Sequence, residues 1–248
     1  MIYAQYGNIT RWNIKQVNEF LDRDYHVIFS TVGNESLTEK DISEKDGLTI
    51  VRRDNFGLDI GAWSCVLRNN PELFDSDILV LMNDSCIGPI QSMDHIFDRI
   101  ESSNVDILGL TDNRVFNFYH IQSYFRVFYK NVLKNNTLRE FLCPPEEEYK
   151  LLNRLEIIKK YEIGFPLWFF KNKGYKHDCI YQYKKIVPSS FDKQMIDPNQ
   201  YVWFWERLLF YKFPFIKMSL FKELKGRMSI QDIEFIKYAY GEDLSEYL

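Results

Sequence analysis

The chain has 248 residues, enough for one large α/β domain or for one domain with an appendage. Hydrophobic residues make up 46% of it and aromatic residues 17%, so a sizeable core is expected. The formal net charge of −4 argues against a general nucleic-acid binder, and no apolar run approaches the roughly 20 residues of a membrane-spanning helix.

The N-terminal residues and the cysteines indicate a cytoplasmic protein. The segment MIYAQYGN has no basic stretch and no long apolar run, so we expect no signal peptide. The cysteines are far apart and follow no metal-binding spacing, so we expect reduced thiols at Cys65, Cys86, Cys143 and Cys179.

The first 52 residues are predicted to begin an α/β sheet. The segments Ile2–Gln5, Tyr25–Thr31 and Leu48–Arg52 are short apolar runs typical of strands. Thr10–Asp22 has apolar residues at helical spacing and starts on a residue that favours the N-cap position. The polar segment Glu35–Asp46 would connect the second and third strands.

The segment RRDNFGLDIGAW, at positions 52–63, leads from a strand into a helix predicted over Asp59–Asn69. Its glycines permit a tight turn and close approach of a ligand to the backbone. A helix N-terminus favours phosphate, and Arg52 or Arg53 can add a charge-assisted contact to a diphosphate. The alternative is an ordinary strand–turn–helix with solvated arginines, since the spacing matches neither GxGxxG nor a P-loop.

The segment SDILVLMNDSCIGP, at positions 76–89, contains five consecutive apolar residues, Ile78–Met82. A short apolar run bounded by polar residues predicts a strand buried on both faces. Ligands of open α/β sheets bind at the carboxyl ends of the strands, so Asn83, Asp84 and Ser85 are candidate binding residues. The alternative is that Asp84 and Ser85 cap the next turn.

The middle of the chain is predicted to alternate between helices and strands. Val105–Thr111 is a buried strand ending on Asp112-Asn113, and the aromatic-rich His120–Tyr129 is compatible with a strand or a helix. His177–Tyr181 is predicted as the final strand. Helices are predicted over Gln91–Glu101, Asn131–Leu142 and Glu146–Lys160.

Two further segments have more than one interpretation. Glu162 precedes a helical run that ends at Gly174, and the helix dipole favours a carboxylate at such a helix start in any protein.

Val187–Asn199 is predicted as a loop and the remainder of the chain as helical. Lys212–Arg227 has five basic residues and one acidic residue among apolar ones. It could dock at an anionic membrane surface or pack its apolar side on the domain.

Six stretches, taken in order, resemble the rhamnan synthesis protein F family of bacterial glycosyltransferases, from about Tyr6 to Lys217. They are RDNFGLDIGAW, DILVLMNDSCIGPI, ILGLTDN, HIQSYFRVF, KKYEIGFPLWFFKNKGYK and FWERLLFYKFPFIK. The resemblance implies an α/β fold of the GT-A-like type, with a nucleotide-sugar-binding sheet flanked by helices. We expect this catalytic domain over residues 1–186 and a helical C-terminal segment packed on it over 187–248.

The resemblance implies a nucleotide-sugar donor and a saccharide or lipid-linked saccharide acceptor. Family members build rhamnose-containing cell-wall polysaccharides, capsules and O-antigens, so L-rhamnose from dTDP-rhamnose, transferred with inversion, is the expected chemistry. The donor-binding residues that it implies are Arg52, Asn55, Gly57, Asp59, Gly61, Asn83, Asp84 and Ser85.

The metal requirement stays open at this point. GT-A enzymes usually end a central strand on Asp-x-Asp, which holds a divalent metal on the donor diphosphate, whereas residues 83–85 contain only the carboxylate of Asp84. Mg²⁺ or Mn²⁺ bound through Asp84 is one expectation. Metal-independent transfer is the other, with Arg52, Arg53 and the Gly57–Gly61 turn neutralising the leaving diphosphate.

The resemblance also suggests catalytic residues. Many inverting GT-A enzymes place an acid at a helix start, followed by a leucine-rich turn and a glycine before a strand. Glu162, Leu167, Gly174 and Tyr175 resemble that layout. Glu162 is therefore the first candidate for the base that deprotonates the acceptor hydroxyl, and Asp112 is the second.

His120, Gln122 and Trp168 are candidates for binding sugar or acceptor. We expect a cytoplasmic enzyme with peripheral contact to the inner face of the cell membrane through Lys212–Arg227. One alternative is a sugar-phosphate transferase of capsule synthesis, which the tail FWERLLFYKFPFIK also resembles. Another is a non-catalytic saccharide-binding or scaffold subunit.

Overall fold

The computed structural model describes residues 1–32, 46–115, 118–192, 199–222 and 228–247. Eight of the described strands form one sheet with helices on both faces, which confirms the predicted α/β class. The strands are β1 Ile2–Gln5, β2 Val27–Thr31, β3 Leu48–Arg52, β4 Ile78–Asn83, β5 Cys86–Ile87, β6 Ile107–Val115, β7 Phe118–Ile121, β8 Phe125–Tyr129, β9 His177–Tyr181 and β10 Ile216–Lys217.

The helices pack on the two faces of this sheet and along its C-terminal side. They are α1 Arg11–Leu21, α2 Leu58–Asn69, α3 Asp94–Glu101, α4 Lys130–Lys134, α5 Thr137–Leu142, α6 Glu146–Leu151, α7 Arg154–Ile157, α8 Tyr183–Ile186, α9 Ser189–Asp192, α10 Gln200–Trp203, α11 Trp205–Phe210, α12 Ser219–Lys222 and α13 Ile230–Tyr240. Two π-helical turns, Ile158–Ile163 and Leu167–Asn172, follow α7.

The strand order in the main sheet is β3-β2-β1-β4-β8-β6-β7, and β9 also pairs with β6. Strands β1 to β4 run parallel, while β8 runs antiparallel to both β4 and β6. The register pairs Ala4 with Asn83 and Thr31 with Arg52, so the carboxyl ends of β1 to β4 are level. This edge carries the polar side chains that the sequence predicts to bind a ligand.

Strand β4 is buried on both faces, as predicted. Leu79 and Leu81 pack into the core on one side of the sheet, and Val80 and Met82 into the core on the other. The indole N–H of Trp63 in α2 donates to the Met82 carbonyl at 3.2 Å, which fixes α2 over the end of β4. An unbroken apolar run is what such a two-sided position requires.

The first helix begins where the sequence predicts. Thr10 accepts a hydrogen bond from the Asn13 amide at 3.4 Å, and the Asn13 side chain accepts one from the Thr10 amide at 2.7 Å. This reciprocal pair satisfies two amides that a helix start leaves without helical partners. Trp12, Val17 and Phe20 form the buried face of α1.

The two long helices predicted after β8 are wrong in their length. Asn136 adopts a positive φ of 55°, which separates α4 from α5 inside the predicted helix Asn131–Leu142. In the predicted helix Glu146–Lys160, Leu152 is extended and Asn153 starts a new helix by accepting bonds from the next turn. At Asn153, local side-chain hydrogen bonding competed successfully with helix continuation.

The strand predicted to end at Thr111 continues to Val115, because it forms a hairpin with β7. The segment His120–Tyr129, which the sequence left open, therefore contains the end of β7 and all of β8. Asp112 consequently lies inside a strand that is paired on both sides, and the expectation that it ends a strand is wrong.

The C-terminal segment packs on the sheet domain and adds a strand that the sequence did not predict. β10 pairs antiparallel with β5, and Trp12 of α1 packs against the apolar residues of α11 to α13. Phe213, Phe215 and Leu220 are each 1% exposed. The described apolar side chains of the segment proposed for membrane docking are therefore mostly core residues, which contradicts that role for them.

Some predictions fall wholly or partly outside the described residues. These are the connection Glu35–Asp46 except for its last residue, positions 193–198 of the predicted loop and positions 223–227 of the basic segment. None of the helices in the described ranges has the length and apolarity to cross a membrane. All four cysteines are free thiols, as predicted.

The turn before α2 depends on two glycines. Gly57 has a φ of 67°, and its carbonyl accepts the Gly61 amide at 2.7 Å. A Cβ at Gly61 would lie 2.2 Å from the carbonyl oxygen of Phe56 and a Cβ at Gly57 would touch Tyr149 at 3.1 Å. The glycine-dependent tight turn predicted from the sequence is confirmed.

We expect Gly61→Ala to lower the free energy of unfolding by about 1–3 kcal/mol, because the added methyl group forces the turn apart. Urea unfolding followed by circular dichroism measures the change. Cys65→Ala on the same helix is the matched control, with an expected change below about 0.5 kcal/mol. Equal stability of Gly61→Ala and wild type would contradict the close packing of this turn.

Candidate active site

A side-chain hydrogen bond at the carboxyl edge joins Asp59 and Asn83. The Asn83 side-chain amide donates to Oδ2 of Asp59 at 2.7 Å, and the Ile60 amide donates to Oδ1 at 3.0 Å. Oδ1 of Asn83 in turn accepts the Ser85 amide at 3.1 Å, which fixes the amide orientation. Two segments that the sequence singled out separately thus meet in one place.

The charge of Glu162 acts on Asp59. Burial raises the pKa of the Asp59 carboxyl, and the negative charge of Glu162 raises it further. The hydrogen bond from Asn83 and the positive charge of Arg126 oppose that rise. The charges of Asp59 and Glu162 therefore act on each other.

Glu162 does not cap the helical run that follows it. The residue lies near the end of the π-helical turn Ile158–Ile163, three residues before helical backbone resumes at Phe165. It is partly exposed, and no group in the described part of the chain donates a hydrogen bond to its carboxylate. Such π-helical turns are frequent at functional sites. A carboxylate held this way is available to accept a proton from a bound hydroxyl.

Asp84 holds the loop between β1 and α1 in place through two hydrogen bonds. Its Oδ2 accepts the Tyr6 amide at 2.8 Å, and its own amide donates to the Ala4 carbonyl at 3.1 Å. Gln5, which is fully buried, holds the same loop through its side-chain amide, which donates to the carbonyls of Tyr6, Gly7 and Asn8. Asp84 therefore has a structural contact in addition to the ligand role that the sequence predicts.

The two arginines before the turn differ in availability. Arg53 donates to the carbonyls of Asp54 at 2.8 Å, Phe56 at 3.0 Å and Leu58 at 3.1 Å, and also to the Tyr6 hydroxyl. Its guanidinium therefore holds the loop in shape. Arg52 is exposed at the end of β3 and is the arginine of the pair that remains accessible to a diphosphate.

Electrostatics disfavours a phosphate directly at the N-terminus of α2. The Asp59 carboxylate sits in the first turn and bonds the Ile60 amide, so a negative charge is already present there. A phosphate at this position would be repelled by that carboxylate. Hydroxyl groups of a ribose or a sugar suit Asp59 better, because they donate to it.

The family model for rhamnan synthesis protein F matches residues 27–244. The chain belongs to the rhamnan synthesis protein F family. It is 26% identical over 193 residues to the virulence protein VirA of Vibrio anguillarum strain ATCC 68554 / 775, and equally to a second VirA of Vibrio anguillarum. The alignment covers 77% of this chain and 60% of VirA, so the chain spans less than two thirds of the length of these relatives.

Two solved structures are loosely similar. One, from Desulfovibrio desulfuricans G20, is assigned as a nucleotide-diphospho-sugar transferase; it has a TM-score of 0.37 and 12% identity, covering 77% of this chain and 90% of that one. The other, residues 1–349 of TarS from S. aureus, has a TM-score of 0.40 and 10% identity, covering 96% and 80%. Such scores add nothing to what the sheet topology shows.

Among the candidates suggested by the resemblance to the rhamnan synthesis family, three are buried in the β6–β7 region. Asp112 is 8% exposed, and its Oδ1 accepts the Tyr183 amide at 2.5 Å, while burial raises the pKa of its carboxyl. Gln122 is 5% exposed and accepts a bond from Thr111 at 2.8 Å. His120 is 4% exposed. These positions favour structural roles in this family member.

Trp168 and Asn55 lie nearer the surface than these three buried residues. Trp168 lines an open cavity of about 270 Å³ together with Phe141 and with Lys160 and Gly164, which flank Glu162. Asn55 is exposed in the turn before α2. An aromatic ring beside such a cavity remains a candidate for stacking on a saccharide.

The residues present do not fit a protein-built metal site. Within the described ranges, no three His, Cys, Asp or Glu side chains come together so that they could hold a metal ion. Asp84 supplies one carboxylate, and one of its oxygens already accepts the Tyr6 amide.

Sequence reasoning missed Arg126. It is 1% exposed near the start of β8, and its charge acts on both Asp59 and Glu162. The signal was present in the sequence, because an arginine interrupts the otherwise apolar strand FRVFY. An apolar strand rarely carries a charge unless that charge has a partner.

The raised pKa of Asp59 predicts a pH-dependent stability. The unfolded chain releases this proton at a lower pH than the folded protein, so ionisation weakens the fold as pH rises through the raised value. Asn cannot ionise, so we expect the stability of Asp59→Asn relative to wild type to increase from about pH 4 to pH 7.

Urea unfolding at a series of pH values measures this difference. Asp75→Asn, which removes the same charge from an exposed position, is the matched control. A relative stability of Asp59→Asn that declines as the pH rises would show that Asp59 is favourably ionised in the fold.

Proposed function

We propose that this chain is a glycosyltransferase that moves a sugar from a nucleotide-sugar donor to a saccharide acceptor in the synthesis of a cell-surface polysaccharide. Membership of the rhamnan synthesis protein F family supports the biological context. The observation that carries the proposal is the hydrogen bond between Asn83 and Asp59 at the carboxyl edge of the sheet, where the charge of Glu162 also acts on Asp59.

On the donor side, Asp59 would accept hydrogen bonds from hydroxyl groups of the ribose or of the transferred sugar. Asn83 would position it, because both polar atoms of the Asn83 amide are already bonded to Asp59 and Ser85. Arg52 would contact the diphosphate from the end of β3. The glycines of the turn allow the nucleotide to approach the backbone closely.

Glu162 would act as the general base. It would accept the proton of the acceptor hydroxyl, whose oxygen forms a bond to the anomeric carbon as the bond to the diphosphate breaks. The nucleoside diphosphate leaves with the bonding electron pair, and direct displacement inverts the anomeric centre. This requires the hydroxyl within about 3 Å of the carboxylate. Arg52 would offset the charge that develops on the leaving oxygen.

We further propose L-rhamnose from dTDP-rhamnose as the transferred group, because the family is named for the synthesis of rhamnan. The acceptor would be a growing or lipid-linked saccharide, with Trp168 as a candidate stacking surface. Assays with dTDP-, UDP- and GDP-sugars, each with Mg²⁺, Mn²⁺ or EDTA, assign the donor and the metal requirement together.

Glu162→Gln tests the proposed base. We expect turnover to fall by about 10²–10⁴-fold, because an amide cannot accept the proton, while nucleotide binding measured by calorimetry is retained. Glu147→Gln makes the same change at an exposed position of α6 and should leave turnover unchanged. Wild-type turnover in Glu162→Gln would remove Glu162 as the base, and lost nucleotide binding would make it a donor ligand.

Arg52→Ala tests the diphosphate contact. Loss of a charge-assisted contact should weaken binding of the nucleoside diphosphate by roughly 10-fold or more. Stability should be unchanged, because Arg52 is exposed. Lys134→Ala removes an exposed cation just after β8, at the opposite end of the sheet, and is the matched control. Equal affinities for the Arg52→Ala variant and wild type would place the diphosphate elsewhere.

A further inference from the structure

The open cavity beside Trp168 is bounded by α5, α6 and the two π-helical turns. Glu140 and Phe141 line it from α5, Glu148 from α6, and Lys160 and Trp168 from the two turns. Its volume is about 270 Å³. Sites for drug-sized molecules occupy roughly 300–1,000 Å³, so this cavity suits a smaller ligand, of the size of one sugar residue.

The aromatic wall of this cavity is held in place by packing. The Trp168 ring lies 5.7 Å from the Phe141 ring, with an angle of 37° between their planes. Phe141 is 7% exposed and makes edge-to-face contacts with Tyr161, Phe165 and Phe169. Trp168 itself is partly exposed, so its ring can contact a ligand. A ring fixed in this way loses little conformational freedom when a ligand binds.

The bend between the two π-helical turns brings their side chains to one cavity. The Gly164 amide donates to the Lys159 carbonyl at 2.9 Å, and the Trp168 amide donates to the Gly164 carbonyl at 3.1 Å. A Cβ at Gly164 would lie 2.5 Å from the Lys160 carbonyl oxygen, so a side chain here would force the bend apart. Glu162 lies between Lys160 and Gly164, so the cavity and the proposed base share this bend.

The polar groups around the cavity suit a ligand with many hydroxyl groups. Glu148 forms an ion pair with Lys160, and the carboxylate of Glu140 lies 3.9 Å from the ammonium of Lys173. Asn172 is exposed and adds a side-chain amide. A hydroxyl group both donates and accepts, so it can bond a carboxylate, an ammonium or an amide without disturbing the charge balance.

The same groups disfavour other ligands. Two carboxylates and one ammonium line the cavity, so a diphosphate would be repelled. A purely apolar ligand would take these charges out of water without bonding them. A sugar avoids both problems, because its C–H groups pack on the electron-rich face of an aromatic ring while its hydroxyls meet the polar groups.

Lys173 does not block the aromatic ring. Its ammonium lies 5.7 Å from the centre of the Trp168 ring, and its side chain is 42% exposed. A solvated ammonium on a flexible stem can move aside or donate to a sugar hydroxyl.

We propose that this cavity is a saccharide subsite, in which Trp168 stacks on one sugar residue of the acceptor chain and the surrounding polar side chains bond its hydroxyls. The sugar held here is further along the acceptor than the one whose hydroxyl reacts at Glu162. Such a subsite favours acceptors of several sugar residues over a single sugar. Saccharide binding follows from the cavity alone, whereas its part in acceptor choice rests on the proposed function.

The direct test is an NMR titration of protein labelled with ¹⁵N at tryptophan, with a tetrasaccharide of L-rhamnose as the probe. The chain has five tryptophans, and the Trp168→Phe and Trp203→Phe variants assign the two indole signals that matter. We expect the tetrasaccharide to shift the Trp168 signal with a dissociation constant of about 1 mM. The signal of Trp203, which is exposed on α10, should stay in place, and dTDP should leave the Trp168 signal unshifted.

Variants test the same contact from the side of the saccharide, by saturation-transfer NMR. Trp168→Leu removes the aromatic face and should weaken tetrasaccharide binding by about 10-fold, whereas Trp168→Phe should retain most of it. Trp203→Leu is the matched control and should bind as wild type does. If Trp168→Leu fails to fold, Asn172→Ala decides, because Asn172 is exposed; loss of its hydrogen bonds should weaken binding by about 3–10-fold.

Transfer assays give an independent reading. Wild type should have a lower KM for the tetrasaccharide acceptor than for a rhamnose monosaccharide acceptor, and Trp168→Leu should remove most of that difference. Saccharide binding at Trp168 without any sugar transfer would contradict the proposed function and support the subsite. Transfer with equal KM values for the two acceptors would overturn the part of the subsite in acceptor choice.

Three results would overturn the subsite itself, whatever the rate of transfer. The first is a Trp168 signal that does not respond to the tetrasaccharide. The second is a shift caused by dTDP in place of the saccharide. The third is unchanged tetrasaccharide binding in folded Trp168→Leu, or in Asn172→Ala where that variant decides.

Discussion

A strand buried on both faces can present polar side chains only beyond its last apolar residue, and the candidate site follows from this constraint. β4 packs Leu79 and Val80 into opposite cores, so its first polar side chain in this direction is Asn83. The Trp63 indole fixes α2 over the same strand end, which brings Asp59 to Asn83. The hydrogen bond between these two side chains then orients the carboxylate towards the edge where ligands of parallel sheets bind.

The site concentrates negative charge where burial makes charge unfavourable. Burial and the charge of Glu162 raise the pKa of Asp59, and the charge of the buried Arg126 opposes that rise. An arrangement of this kind weakens the fold locally and is retained where function requires ionised groups. The same region holds the π-helical turns and the tight Gly57–Gly61 turn.

The successes and errors of the sequence-based predictions have different physical origins. β1, β3 and β9, and the N-cap of α1, were predicted at their observed positions, because strand periodicity and capping are local signals. The end of β6 was wrong because hairpin pairing with β7 extends it, which removed Asp112 from the strand-end position. The long helix after Pro145 was wrong because Asn153 begins a new helix. The roles of the site residues remain predictions.

The sequence by itself determined the α/β class, the buried strand β4, the glycine turn and the identity of Asp59, Asn83 and Glu162 as candidates. These follow from local periodicity, from the conformational demands of glycine and from family resemblance. Only the tertiary structure decided that Arg53 holds the loop while Arg52 is accessible, and that the buried Arg126 donates to the carbonyls of Tyr161 and Ile121. Those facts depend on contacts between residues distant in sequence, and neither periodicity nor composition encodes which distant charges come to share one buried environment.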